Sequence, residues 1–210
     1  MAVVGARWAG LALVGVLSAC AGPPRPLSLQ PPEDVGAVDY QDVLGRWTRS
    51  ETIFDGLYSV AYLHATLHAP ELRRAFLQRF PDAYGRGSEE ARRLTLADPA
   101  AETHWEFFLS ASTAKYQWND LADEDSIWRI TLRSDDGPEV DATVRAIPLN
   151  ANLRVFYPYL TPFSNGYGLE FPLTTPEGAP LIGPETRQVV LRISSAIGAT
   201  ELTWRFDQEG

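Results

Sequence analysis

From Ser126 onwards, apolar and polar side chains alternate with a period of two. Trp128, Ile130 and Leu132 fall on one side of an extended segment while Arg129, Thr131 and Arg133 fall on the other, as a strand with one buried face requires. Val140, Ala142, Val144 and Ala146 then alternate with Asp141, Thr143 and Arg145. The intervening Asp135-Asp136-Gly137-Pro138 has turn chemistry, which predicts an antiparallel hairpin over 126–133 and 140–146. The same pattern predicts strands over 47–54, 58–67, 103–110, 167–173, 187–194 and 200–206. In the last two, Val189, Leu191 and Ile193 share a face, as do Leu202, Trp204 and Phe206, with Ala196-Ile197-Gly198-Ala199 as the turn. About eight short strands separated by turns predict a mainly β fold, an antiparallel β-sandwich that is Ig-like or related. Helices do not alternate with the strands, which argues against a parallel α/β sheet.

A helical passage interrupts this pattern between the second and third strands. Pro70 suits a first helical position, Leu72, Ala75, Phe76 and Phe80 recur at spacings of three and four, and Pro81 is expected to stop the helix. Ser88 is a candidate N-cap for a second helix, with Glu89 and Glu90 in the first turn and Arg92 and Arg93 after them. The insertion, near 70–97, is expected to cover an edge or end of the sandwich.

The N-terminus reads differently. Arg7 precedes an apolar run over 8–16 that is too short to span a bilayer, and Leu17-Ser18-Ala19-Cys20 follows. This arrangement resembles the lipobox signal peptide of bacterial lipoproteins. The resemblance implies removal of a signal peptide over 1–19, diacylglyceryl attachment to Cys20 Sγ, and a membrane partner reached through the lipid. Ala21 after the cysteine lacks the aspartate that retains some such proteins at the inner membrane, so the implied location is the cell envelope, at the outer membrane facing the periplasm. Cleavage after Ala21 is the competing reading, and it would discard Cys20 and release a soluble protein. Trp47-Thr48-Arg49 and the stretch from His64-Ala65-Thr66 to Arg73-Arg74-Ala75 faintly resemble uncharacterised lipoproteins of Gram-negative bacteria, a resemblance that brings no function with it.

Residues 20–38 include Pro23, Pro24, Pro26, Pro31 and Pro32, the composition of an extended tether. A single domain is expected over 39–210. Its stability must come from its core, because Cys20 is the single cysteine and no disulfide framework exists. With 18 basic against 27 acidic side chains, the chain has a formal charge of −9 and no basic run, which disfavours nucleic acid.

Candidate chemistry is sparse, and no cofactor motif is present. His64, His68, His104 and Glu106 are the set that resembles metal ligands, and they would support a metal-assisted hydrolase. Residues four apart on a strand are ~13 Å apart, so His64 and His68 could not share an ion unless that segment were helical. Asp120, Asp123, Glu124 and Asp125 form one acidic loop, and Asp135, Asp136, Glu139 and Asp141 another, neither with EF-hand spacing. There is no G-x-S-x-G elbow and no phosphate loop. The segment 155–167 carries Phe156, Tyr157, Tyr159, Phe163 and Tyr167 among prolines and a glycine, which suits either recognition or closure of one end of the sandwich. The sequence therefore leads to a lipid-anchored envelope protein with a non-catalytic domain that binds a protein or glycan. A structural role in an envelope assembly is the remaining alternative.

Overall fold

The computed structural model describes residues 27–30, 39–84 and 103–206. Cys20, the signal-like segment 1–19 and the second helix expected from Ser88 lie outside the described residues.

Among the described residues the alternating runs become nine antiparallel strands in two sheets. They are β1 (Thr48–Asp55), β2 (Tyr58–Leu67), β3 (His104–Thr113), β4 (Arg129–Ser134), β5 (Val140–Asp141), β6 (Thr143–Ile147), β7 (Asn165–Pro172), β8 (Gln188–Ser195) and β9 (Gly198–Arg205). One sheet has the order β1-β2-β3-β7-β6 and the other β5-β4-β8-β9. Among the described residues, with 46% strand, 18% helix and no closed barrel, the fold is mainly β with sandwich architecture.

The core between the sheets follows from the alternation. Trp128, Ile130 and Leu132 in and before β4, Val189, Leu191 and Ile193 on β8, and Leu202 and Trp204 on β9 are buried. They meet Phe107, Leu109, Leu169 and Phe171 of the five-stranded sheet in one apolar cluster. Phe107 packs edge-on to Trp204 with ring centroids 5.3 Å apart, joining the two sheets directly. The Trp204 indole Nε1 donates to the Trp47 carbonyl at 2.8 Å, so its one polar atom is satisfied inside the core. At one side of the sandwich β1 runs beside β9, where Arg49 Nε donates to the Thr203 carbonyl at 2.9 Å.

The expected hairpin at Asp135 forms only in part. Val140 and Asp141 pair with β4, but after Ala142 the same extended chain pairs with β7 in the other sheet. What reads as one strand thus crosses between sheets, a known way of making a sandwich corner. Asp135 takes a left-handed conformation with φ 45°. Its carboxylate accepts from the backbone N–H of Arg187 and Gln188, capping the start of β8.

Three α-helices and a short 3-10 turn at Tyr116–Trp118 complete the described fold. α1 (Tyr40–Trp47) is capped by Asp39, whose side chain accepts from Gln41 N–H, and it buries Tyr40, Val43, Leu44 and Trp47. α2 (Pro70–Tyr84) occupies the expected insertion but continues past Pro81. A proline in the last turn sacrifices only one backbone hydrogen bond, so the helix can end three residues later. α3 (Ala151–Phe156) is capped by Asn150, whose side chain accepts from Leu153 N–H. α2 packs on α1 and stands where β2 ends and β3 begins, with Arg73 Nε donating to the His68 carbonyl at 2.8 Å. Phe76 of α2 packs on Phe156 of α3 with centroids 4.3 Å apart, and Arg73 reaches Glu106 on the central strand. Leu27, within the segment read as a tether, is buried in the core and forms a parallel bridge with Phe206.

Candidate functional site

Even-numbered positions of β2 and β3 face away from the second sheet, towards α2, α3 and the loop after α3. This outer face carries the histidines that the sequence singles out, in two separate groups.

The first group lies where β2 ends and β3 begins. His68 follows β2 and is held in register by its own N–H, which donates to the Glu106 carbonyl at 3.0 Å. Its Nε2 is 2.9 Å from the Tyr157 hydroxyl, and its Nδ1 is 3.6 Å from Glu106 Oε2. With the proton on Nδ1, the ring presents N–H to the carboxylate and accepts the Tyr157 O–H at Nε2. Glu106 also meets His104, with Nε2 to Oε1 at 3.0 Å, and the buried guanidinium of Arg73, with NH2 at 3.9 Å. The His68 N–H directed at it, with smaller contributions from His104 and Arg73, pulls the Glu106 carboxyl down to about 2 against the opposing effect of burial. Burial pushes His68 below its ordinary value, and burial raises the Tyr157 hydroxyl, so both remain neutral near pH 7.

Glu170 extends this group from β7, directly opposite Glu106 in the β3–β7 register. It lies 3.9 Å from His104 Nε2 and accepts from Arg145 Nε at 2.9 Å. Gly168 makes that last contact possible. A Cβ there would sit 2.9 Å from Arg145 Cζ and would push the guanidinium from its place across β7.

The second group lies towards the other end of the same face. His64 stacks on Tyr159 with centroids 4.9 Å apart, and its Nδ1 is 2.8 Å from Ser50 Oγ. Tyr159 O–H meets Thr66 Oγ1 at 2.7 Å, and Thr66 meets Thr48 Oγ1 at 2.7 Å. Beside these rings opens a groove of about 440 Å³ lined by Tyr62, His64, Ser112, Tyr159, Phe163 and Ser164, among others. Its size falls within the range of small-ligand sites. Phe163 is 84% exposed and Tyr62 51% exposed, so the groove has apolar rims that no described residue covers.

The five rings of segment 155–167 therefore divide. Phe156, Tyr157 and Tyr167 are buried, Tyr159 is half-buried, and Phe163 alone is well exposed. Phe156 and Tyr157 pack the outer face, where Tyr157 stacks on Phe108 at 4.1 Å, and the Tyr167 hydroxyl donates to the Asn119 carbonyl at 2.7 Å. Of the candidate metal ligands, His104 and Glu106 come together, His68 stands behind Glu106, and His64 belongs to the groove. Among the described residues, His104, Glu106 and Glu170 are the one group of three whose ligand atoms converge, all within 4.8 Å of one another. Neither acidic loop does so: Asp120 accepts from Ser126, and Asp141 pairs with Arg129. Glu170, Arg145 and Tyr62 were not singled out by the sequence. The one signal was the spacing Gly166-x-Gly168-x-Glu170, which leaves one face of a strand nearly bare beside a charge.

The fold and site together define an antiparallel β-sandwich whose outer sheet face is a helix-covered polar and aromatic layer. No family model matches the chain, and no curated protein matches it. A solved structure with similarity is a protein of unknown function from Burkholderia pseudomallei K96243, determined at 1.90 Å. It has a TM-score of 0.39 and 15% identity, covering 80% of this chain and 82% of that one.

Proposed function

We propose that the protein is a lipid-anchored lipoprotein of the cell envelope, held at the outer membrane facing the periplasm, whose sandwich domain binds a partner and performs no chemistry. The observation that carries the binding role is the groove of about 440 Å³ with Phe163 and Tyr62 exposed on its rims. Exposed aromatic rings beside a concavity supply apolar contact area at low entropic cost. The serine and threonine hydroxyls in its lining suit the amides of a protein segment or the hydroxyls of a glycan. Anchoring is supported by Leu17-Ser18-Ala19-Cys20, and two or more acyl chains would hold the domain stably at a bilayer.

Two measurements test this reading. A photo-reactive amino acid at position 163 should crosslink a reproducible envelope partner in intact cells, and Tyr62→Ala should reduce that yield while leaving cooperative thermal unfolding intact. No reproducible adduct, or one indifferent to Tyr62, would remove the binding role. Labelled palmitate should enter the wild-type chain and not Cys20→Ser; incorporation that survives the substitution would remove the anchor.

A further inference from the structure

We propose that His104, Glu106 and Glu170 form a divalent transition-metal site of the zinc class, separate from the groove and independent of the binding role. Their ligand atoms already stand close to a coordination sphere. His104 Nε2 is 3.0 Å from Glu106 Oε1 and 3.9 Å from Glu170 Oε1. Zinc–nitrogen and zinc–oxygen bonds of about 2.0–2.1 Å place tetrahedral ligand atoms about 3.3 Å apart, a value between the two observed separations. Small side-chain movements therefore suffice to close the site.

The backbone fixes this convergence. His104 and Glu106 are two residues apart on β3 and share its outer face, while Glu170 faces Glu106 directly across the β3–β7 ladder. Two carboxylates in directly opposed positions repel, and a cation between them turns the repulsion into coordination. His68 and Arg73 approach the second oxygen of Glu106, leaving Oε1 to face His104. The side chains of His104 and Glu170 are 30% and 29% exposed, so the site opens to solvent on one side and has room for water as a fourth ligand. One imidazole with two carboxylates suits zinc and its transition-metal neighbours better than magnesium, which retains most of its waters.

Arg145 is the resident competitor. It neutralises Glu170 at 2.9 Å, but its side chain is 55% exposed and can swing into solvent. The site therefore carries a signature that a simple charge network lacks: removing this arginine should tighten metal binding.

The test is calorimetric titration of zinc chloride into chelator-treated, desalted full-length protein. One zinc per chain is expected, weakened about tenfold or more by His104→Ala and by Glu170→Gln, tightened by Arg145→Gln and unchanged by His64→Ala. Absence of stoichiometric binding, indifference to both ligand substitutions, or weaker binding in Arg145→Gln would overturn the proposal. Cobalt added to the wild-type protein supplies a readout that needs no variant. Visible absorption of a four-coordinate complex supports the site, and a spectrum of hydrated cobalt alone overturns it. Neither result bears on the crosslink at position 163, so the two readings fail separately.

Discussion

On β3, Phe107 points inward to Trp204 while its neighbours Glu106 and Phe108 point outward to His68, Arg73 and Tyr157. The inner face is joined by apolar area and shape. The outer face, equally covered at its centre, is joined by hydrogen bonds, stacked rings and opposed charges. Burial on the two sides thus rests on different physics. Inside, losing volume is the main cost; outside, losing a single polar partner is costly even when no volume changes.

The sharpest way to break this comparison is at Trp204. Trp204→Ala should destabilise by about 3–5 kcal/mol in chemical denaturation, through lost transfer free energy and a cavity spanning both sheets. A loss much below that range would contradict the inner face as drawn. On the outer face, Tyr157→Phe keeps the ring and removes only the hydroxyl facing His68 Nε2. It should destabilise by about 1–2 kcal/mol, because a buried acceptor loses its donor. A neutral result would show that this contact adds nothing to the ring packing.

His64 sharpens the comparison through pH. Burial depresses its folded value below 6.5, so the unfolded chain takes up the proton more readily. The stability associated with its neutral ring is present above about pH 6.5 and is lost as pH falls from there through the lower folded value. The melting temperature of the wild type should accordingly drop more between about pH 8 and pH 5.5 than that of His64→Gln. Parallel curves would place the ring in a more solvated setting than its stack on Tyr159 implies. The smallest effect is expected at Phe163, which is 84% exposed. Phe163→Ala should change stability by no more than about 0.5 kcal/mol, which would separate this ring from the packed members of its segment.

These contrasts also explain what the sequence could disclose. Strands with one apolar and one polar face, such as β4, β8 and β9, announce themselves by alternation. Phe107, Phe108 and Leu109 break the alternation because both faces are covered there, so the run shows burial without showing that two different layers do the burying. α1 was written in plain view, with Asp39 as cap and Tyr40, Val43, Leu44 and Trp47 at helical spacing. It is two turns long and contains Gly45, which weakened the pattern before β1. The meeting of His68, His104, Glu106 and Glu170 needs the registers of β2, β3 and β7 together, and those depend on partners up to 68 residues away, as His104 is from Pro172. Residue types alone could nominate the histidines but not choose among them. The same limit applies to segment 155–167, where composition gave five comparable rings and only packing distinguishes Phe163 from Tyr157.

The passage of one continuous backbone from β5 to β6 through Ala142 has a further consequence. β5 and β6 are edge strands of different sheets, and because one extended segment serves both, peeling either edge away strains its attachment to the other. The amides of β5 and β6 that bond to β4 and β7 should therefore exchange with deuterium more slowly than those of an edge strand tied to one sheet alone.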